Sequence, residues 1–251
     1  MPRFKDQAIC IRHIEWSESS QIVSLLTTAH GKIRGVAKGA KRMSPGCIAR
    51  FSGGIDLLTG GQIVATTRPS SELATLTEWD LQQPYPHLHE HLHGQKLAMY
   101  GADLCNGLLA EHDPHPDIHT ALDQFLQRLA EPDAHDGALL RFQWSLLDGC
   151  GYRPVLDTDV ITNEALAPRA TYTFDPVRGG FTTAEPQTSG DPWGVRHETV
   201  ELLRAAAAGR ASGATHAIQR ANRLLCAYAR MLVDRHLPTM DFILGNPAAE
   251  P

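Results

Sequence analysis

The sequence predicts an α+β protein in which a small closed β-barrel is followed by an α-helical domain. Two observations support this fold class. Five or six short apolar or alternating segments lie within the first eighty residues, and the hydrophobic period changes from two to about 3.6 after Pro84 and Pro86. We expect the barrel to cover residues 1–82 and the helical domain to cover residues 83–251.

The predicted strands are separated by Glu-Ser, His-Gly, Pro-Gly and Gly-Gly turn signals. They cover residues 8–14, 21–27, 33–38, 55–58, 63–67 and 73–81. Because an open sheet of such short strands leaves edges that promote aggregation, we expect the strands to close into a barrel.

The rest of the chain carries apolar stripes at helical spacing, and each stripe predicts a helix with one buried face. The stripes contain Leu97, Tyr100, Gly101, Leu104 and Leu108; Leu122, Phe125, Leu126 and Leu129; Leu139, Phe142, Leu146 and Leu147; Val200, Leu203 and Ala207; and Ala221, Leu224, Leu225, Tyr228 and Leu232. Residues at about 150–193 are rich in Pro, Gly, Thr and Asp and predict an irregular insert. The last residues, 245–251, are expected to fray.

Composition excludes several classes of protein. The 251 residues are 42% hydrophobic and 20% charged, as in an ordinary folded domain, and no apolar stretch approaches the length of a membrane span. Residues 1–10 carry charge where a secretory signal needs an apolar run, so we expect a cytoplasmic protein. The five cysteines lie far apart, which predicts neither a disulfide framework nor a thiolate zinc cluster.

Charge is distributed unevenly along the chain. The net charge is −5, but residues 1–50 hold nine Lys or Arg against three acidic residues, so the other 201 residues carry −11. Such asymmetry indicates a polyanion-binding module joined to a more acidic scaffold.

The basic residues concentrate in the segment 31–42, GKIRGVAKGAKR. Lys32 and Arg34 alternate with Ile33 along a predicted strand, which places both charges on the face opposite the apolar one. Small residues in the following turn leave room for a phosphate. We therefore predict DNA-binding residues at Lys32, Arg34, Lys38, Lys41, Arg42 and Arg12. The alternative is a solvated strand face with a flexible turn.

Aromatic residues are few in the barrel segment, where only Phe4, Trp16, Phe51 and Trp79 occur. They are too few for a long platform on which successive bases stack, so contacts to the phosphate backbone should dominate. Such binding would be sensitive to salt and indifferent to sequence, and a held strand could still pair with its complement.

A rival prediction comes from His89-Glu90-x-x-His93, which matches the motif of zinc-dependent hydrolases. On one helix the two histidines would share a face, Glu90 would act as general base, and Glu111 could be a third ligand. A solvated helix start next to Pro86 is the alternative. No other nucleophile or nucleotide-binding signature is present, so we predict a protein without catalytic residues.

Several arginines lie on predicted helices near the C-terminus, among them Arg204. We predict that an acidic peptide docks on three of them, Arg220, Arg223 and Arg230. A solvated helix surface is the alternative, and a third overall hypothesis is a protein-binding adaptor whose basic strand contacts an acidic protein.

Three groups of residues follow one another in a characteristic order. They are Thr27, Thr28, His30-Gly31-Lys32, Val36-Ala37-Lys38-Gly39-Ala40-Lys41-Arg42 and Ser44; Arg141-Phe142, Leu146-Leu147 and Gly151-Tyr152-Arg153-Pro154; and Phe174-Asp175 with Gly179-Gly180. This order resembles that of the RecO family of bacterial recombination mediators. The similarity extends over nearly the whole chain.

The resemblance implies a non-enzymatic DNA repair and recombination protein with an N-terminal OB-fold. It implies binding to single- and double-stranded DNA, annealing of complementary strands, and loading of RecA with RecR on DNA coated by the single-strand-binding protein SSB. It also implies that the acidic partner of the helical domain is the SSB C-terminal tail, that RecA is an indirect partner, and that the protein is associated with the nucleoid.

One feature departs from the family pattern. Many relatives carry four cysteines as a zinc site in the insert, whereas this chain has no Cys between Gly151 and Leu225. We predict no structural zinc and no cofactor, because loop oxygens replace thiolates poorly at zinc. The insert, a degenerate zinc-finger position, should instead be held by packing of Tyr172, Phe174 and Phe181.

Overall fold

The computed structural model describes residues 3–68, 71–183, 193–210, 213–233, 235 and 237–245. The chain forms two compact units, Met1–Pro132 and Asp133–Pro251. The end of the predicted insert, 184–192, and the tail from residue 246 lie outside the described residues. None of the helices in the described ranges combines the length and apolar character that a membrane span requires.

Five strands form the closed barrel of the first unit. They are β1 (Arg3–Glu15), β2 (Gln21–Thr27), β3 (Gly31–Ala37), β4 (Gly60–Thr66) and β5 (Ala74–Gln83), closed in the order β1-β2-β3-β5-β4. All neighbours are antiparallel except β3 and β5, and a short helix α1 (Pro45–Phe51) lies between β3 and β4. The predicted OB-fold barrel is confirmed.

The barrel interior is filled by alternate residues of each strand, as the pleat requires. Ala8 and Cys10 of β1, Val23 and Leu25 of β2 and Ile33 of β3 all point into this core. The core is completed by Ala37, Ala40, Phe51, Ile55, Ile63, Ala65, Ala74, Leu76 and Trp79. At roughly 1.5–3 kcal/mol for each large buried apolar side chain, this burial is the main stabilising term of the barrel.

Two helices, α2 (Leu92–Leu108) and α3 (Pro116–Arg128), belong to the same compact unit as the barrel. Both pack on β1, and α3 also packs on β2. The outward side chains of Ile9 and Leu26, which are paired across these strands, are consequently buried. A division of the chain at residue 82 stays a prediction.

The second unit contains the remaining helices around a small sheet. The helices are α4 (His135–Gly149), α5 (His197–Ala207), α6 (Thr215–Val233) and α7 (Asp241–Leu244), and the strands are β6 (Thr171–Asp175), β7 (Gly180–Thr182) and β8 (Trp193–Arg196). Helix α6 packs against α4 and α5. A buried hydrogen bond of 3.0 Å from the Gln143 amide to the Asn222 amide oxygen joins α4 to α6. The five helices predicted from apolar stripes are thus confirmed.

The insert is more regular than predicted, since its strands form a three-stranded antiparallel sheet in the order β7-β6-β8. Strands of three to five residues are too short to show a period of two. The predicted packing is confirmed, because Tyr172, Phe174 and Phe181 are buried. The rings of Phe174 and Phe181 meet edge to face at 5.1 Å.

In the barrel segment one predicted strand is wrong and one helix was not predicted. Residues 55–58 are not a strand: Leu58 adopts a left-handed φ of 60°, and Ile55 fills the barrel while its backbone N–H donates to the Gln21 side chain. Helix α1 was not predicted, although Ser44 at its N-cap and Pro45 at its first position are typical helix-start residues.

Candidate nucleic-acid interface

The outer face of β1, β2 and β3 presents successive rows of side chains, because residues paired across strands point to the same side. The row of Ile9, Leu26 and Lys32 is buried in the first unit. The Lys32 side chain is only 8% exposed, and its Nζ donates to the backbone oxygen of Asn106 at 2.7 Å. Lys32 therefore ties β3 to the C-terminal part of α2.

The next row consists of Arg12, Ser24 and Arg34, which are paired across the three strands. Arg12 is exposed, and Arg34 is half-exposed. The Arg34 Nε lies 3.9 Å from a carboxylate oxygen of Glu111, so the ion pair is weak and leaves the guanidinium able to bind another anion. This row carries two of the predicted cations on one face.

A third row, Ile14, Ile22 and Val36, is apolar and only partly covered. Ile14 is 45% exposed, and the other two are half-buried. Apolar side chains thus lie between the Arg12–Arg34 row and the turn that follows β3, residues 38–42, which we call the basic turn.

Beyond this row the β1–β2 loop, the basic turn and α1 line an open cavity of about 340 Å³, which we call the cationic cavity. Its size falls within the range of small-ligand sites, about 300–1,000 Å³. It is lined by Trp16, Ser17, Ser20, Val36, Lys38, Gly39, Arg42, Cys47 and Arg50. Three of these residues are cationic and none is acidic.

Backbone geometry holds the basic turn against the β1–β2 loop. Gly39 adopts a left-handed φ of 70°, which favours glycine, and its N–H donates to the Ser20 hydroxyl at 3.2 Å. The N–H of Lys41 donates to the backbone oxygen of Ser19 at 3.1 Å. These bonds place Lys38 and Arg42 in the cavity wall, while the Lys41 ammonium lies 2.8 Å from the Glu15 carboxylate. That hydrogen bond from Lys41 lowers the pKa of Glu15.

Helix α1 contributes two lining residues that the site prediction omitted. Arg50 is exposed, its guanidinium lies 5.7 Å from the centre of the Phe51 ring, and one of its nitrogens lies 3.8 Å from the Cys47 sulfur. A hydrogen bond with Ser44, and to a smaller extent one with Arg50, lowers the pKa of the Cys47 thiol. The helix-start signal at Ser44 and Pro45 was the available clue to this second basic element.

The four aromatic residues of the barrel segment divide sharply. Phe51 and Trp79 are buried in the barrel core, and Phe4 stacks on His30 with 4.0 Å between ring centres. Trp16 is 67% exposed at the edge of the cationic cavity. One aromatic ring is therefore available to a ligand there.

The predicted arginines of the second unit are separated by the structure. Arg220 and Arg223 line a cavity of about 340 Å³ together with Arg196, Thr199 and apolar residues of β8, α6 and α7. Arg220 is held by a 3.0 Å ion pair with Glu198, whereas Arg230 is exposed nearly three turns further along α6 and does not line the cavity. Arg204 pairs with Asp157 and Glu201. Arg196 is the residue that the site prediction missed.

The hydrolase motif does not lie on one helix. His89 ends a 3₁₀ turn (Pro86–His89), His91 is the N-cap of α2, and His93 lies in the first turn of α2. Within the described ranges, no three potential ligands among His, Cys, Asp and Glu are grouped to hold a metal ion. The geometry required of a His-Glu-x-x-His zinc site is therefore missing from this segment.

The closed five-stranded barrel is that of an OB-fold protein. In this class the face of the second and third strands, the loop between the first two strands and the loop between the last two bind oligonucleotides and oligosaccharides, and here the cationic cavity lies beside the first of these loops. The sequence matches the family models of the Recombination protein O N-terminal region over residues 1–85 and of its C-terminal region over residues 89–241. The chain therefore belongs to the RecO family.

Two relatives align with this chain over almost their whole length. The chain is 28% identical to the DNA repair protein RecO of Anaeromyxobacter sp. (strain Fw109-5), with 96% of this chain and 95% of the relative covered. It is also 28% identical to the DNA repair protein RecO of Myxococcus xanthus, with 97% and 98% covered. The family that the sequence resembled is thereby confirmed.

Proposed function

We propose that this protein is a non-enzymatic DNA repair and recombination mediator that binds single- and double-stranded DNA through the outer face of its barrel. The observation that supports this most is the cationic cavity, which gathers Lys38, Arg42 and Arg50 with no carboxylate in its lining. Arg12 and Arg34 extend the positive face along the strands. Lys32, which is buried, acts in this proposal by supporting β3.

Binding of this kind is electrostatic. Lys and Arg side chains that neutralise phosphates release counterions, so affinity should fall steeply as salt rises and should depend little on sequence. Phosphate contacts leave most base edges free. Two complementary strands held in this way can pair, which is the basis of the proposed strand annealing.

The second unit is proposed to dock the SSB C-terminal tail, so that the protein, together with RecR, loads RecA on SSB-coated DNA. The protein would act in the cytoplasm, in association with the nucleoid. Arg196, Arg220 and Arg223 line a cavity whose other walls include Trp193, Leu224 and Leu244. A cavity with guanidinium groups beside apolar side chains suits an acidic peptide that also carries an apolar group.

The experiment that tests the proposed function is titration of labelled single-stranded and duplex DNA by fluorescence anisotropy at several salt concentrations. Annealing of a complementary strand is followed in the same samples. We expect binding that weakens with salt and faster annealing than without protein. An absence of DNA binding at low salt would overturn the proposal and leave the adaptor hypothesis, in which the basic face contacts an acidic protein.

A further inference from the structure

Trp16 presents its indole to the solvent at the edge of the cationic cavity. Its side chain is 67% accessible, while Trp79 in the same barrel is 2% accessible. An exposed aromatic ring that lines a cavity together with three cations offers a flat surface on which a ligand can pack.

The backbone around Trp16 is held firmly. The N–H groups of Trp16 and Ser17 both donate to the Ser20 backbone oxygen, at 3.0 and 3.2 Å, and the Ser20 N–H donates to the Ser17 hydroxyl at 3.2 Å. The Ser20 hydroxyl accepts from Gly39, which joins the loop to the basic turn. A ring presented on a fixed loop loses little conformational entropy when a ligand packs on it.

The chemistry around the ring has two parts. The cavity places Lys38, Arg42 and Arg50 in the same lining as Trp16, and Val36 of β3 adds an apolar side chain to that lining. The neighbouring apolar row reaches the solvent at Ile14. A flat aromatic face that shares a lining with three cations, with no carboxylate in that lining, is complementary to one nucleotide, with its base on the indole and its phosphate on the cations.

We infer that the cationic cavity is a subsite for one unstacked nucleotide of single-stranded DNA, with Trp16 as the base-stacking residue. This inference rests on the proposed function and adds a strand preference to it. In a duplex the base faces are occupied by their stacked neighbours, so duplex DNA can use the cations but not the ring. The subsite therefore favours single strands, and it adds a base contact to binding that the sequence alone attributed to the backbone.

The test compares Trp16→Ala, Trp16→Phe and the control Val177→Ala, an exposed apolar side chain of the second unit. Dissociation constants are measured by anisotropy for an oligo-dT strand and for a duplex of the same length. Trp16→Ala should weaken oligo-dT binding by about 5- to 150-fold, the range measured for one stacked base, and should change duplex binding less than about 2-fold. Trp16→Phe should retain most of the affinity, and Val177→Ala should have no effect.

A strand of the same length built entirely from abasic nucleotides isolates the base contact. The wild-type protein should bind it more weakly than oligo-dT, whereas Trp16→Ala should bind both alike. If the wild type binds oligo-dT but Trp16→Ala binds it equally well, or loses single-strand and duplex binding in parallel, the subsite is refuted and the proposed function stands. If the wild type binds no DNA, the proposed function fails and the subsite fails with it.

Discussion

Replacing Asp159 by Asn should destabilise the second unit, because this carboxylate joins distant parts of the insert. Asp159 is 2% exposed. Its Oδ1 accepts hydrogen bonds from the N–H groups of Ile161 and Thr162 at 3.0 and 3.2 Å and from the Thr182 hydroxyl at 2.8 Å. Its Oδ2 accepts from the N–H and hydroxyl of Thr183 at 2.8 and 3.0 Å. One side chain thus binds both the turn after it and the end of β7.

The magnitude follows from what an amide does in the same place. The amide oxygen can replace Oδ1, but the NH₂ group at Oδ2 faces the Thr183 N–H donor to donor. An unsatisfied buried donor costs about 1–3 kcal/mol, and the remaining bonds lose the benefit of an ionised acceptor. We expect Asp159→Asn to lower the free energy of unfolding of this unit by about 2–4 kcal/mol.

The pH dependence provides a separate check. Burial alone would raise the pKa of Asp159, but the hydrogen bonds from Thr183, Ile161 and Thr182 outweigh it and hold the pKa well below its usual range. A depressed pKa in the folded state stabilises the protein fully above the unfolded pKa of about 3.9, and this contribution is lost as the pH falls towards the folded pKa. The stability difference between wild type and Asp159→Asn should therefore be constant above about pH 5 and should shrink below about pH 4.

The assay is urea unfolding followed by tryptophan fluorescence, with hydrogen exchange of the amides in 159–164 and 180–183 as the local readout. The matched control is Asp148→Asn, which removes the same charge from an exposed pair with Arg153 and should cost less than about 1 kcal/mol. Equal destabilisation by the two variants, or a stability difference that stays constant down to pH 2, would refute the reasoning.

Two further predictions concern Lys32 and Arg223, two of the cations that the sequence predicts to bind a partner. Lys32→Met should lower the free energy of unfolding of the first unit by about 1–3 kcal/mol, measured by urea unfolding, because the Asn106 carbonyl loses a charged donor. The same variant should leave the salt dependence of DNA binding unchanged. A flatter salt dependence would show that Lys32 contacts phosphate. Arg223→Glu places a carboxylate in the cavity of the second unit and should weaken binding of a labelled SSB-tail peptide at least 10-fold in an anisotropy titration. The control Arg169→Glu changes an exposed residue outside the cavity lining and should leave the affinity unchanged. Equal affinities of the two variants would show that the peptide binds elsewhere.

The parts of the fold that repeat with a regular period were predictable, and the parts that depend on contacts between distant segments were not. The barrel strands and the five helices follow from side-chain spacing alone. Three of residues 55–58 are apolar and Ile55 fills the barrel, so their pattern imitates a strand that the backbone does not form. The sheet of the insert was missed because its strands are short, and Asp159 was missed because its partners lie up to 24 residues away.

The same distinction applies to the candidate site. The charge of the segment 31–42 is evident from the sequence, but the burial of Lys32 depends on Asn106, which lies 74 residues further along the chain. The closeness of Trp16 and Arg50 depends on how the β1–β2 loop and α1 pack around the basic turn. The sequence therefore offered a clue to the helix that carries Arg50, but not to the closeness of Trp16 and Arg50 to Lys38 and Arg42.

The most direct test of the central claim is the salt dependence of DNA binding by Lys38→Glu/Arg42→Glu, both in the cationic cavity, compared with wild type and with Arg169→Glu. Lys41 is left intact because it is already paired with Glu15. If both side chains contact phosphate, the double variant should bind single strands more weakly at every sequence, and the slope of log K against log salt should fall in magnitude by about 1.4, roughly 0.7 for each lost contact. Affinity and slope equal to those of the wild type would show that DNA is bound elsewhere or not at all.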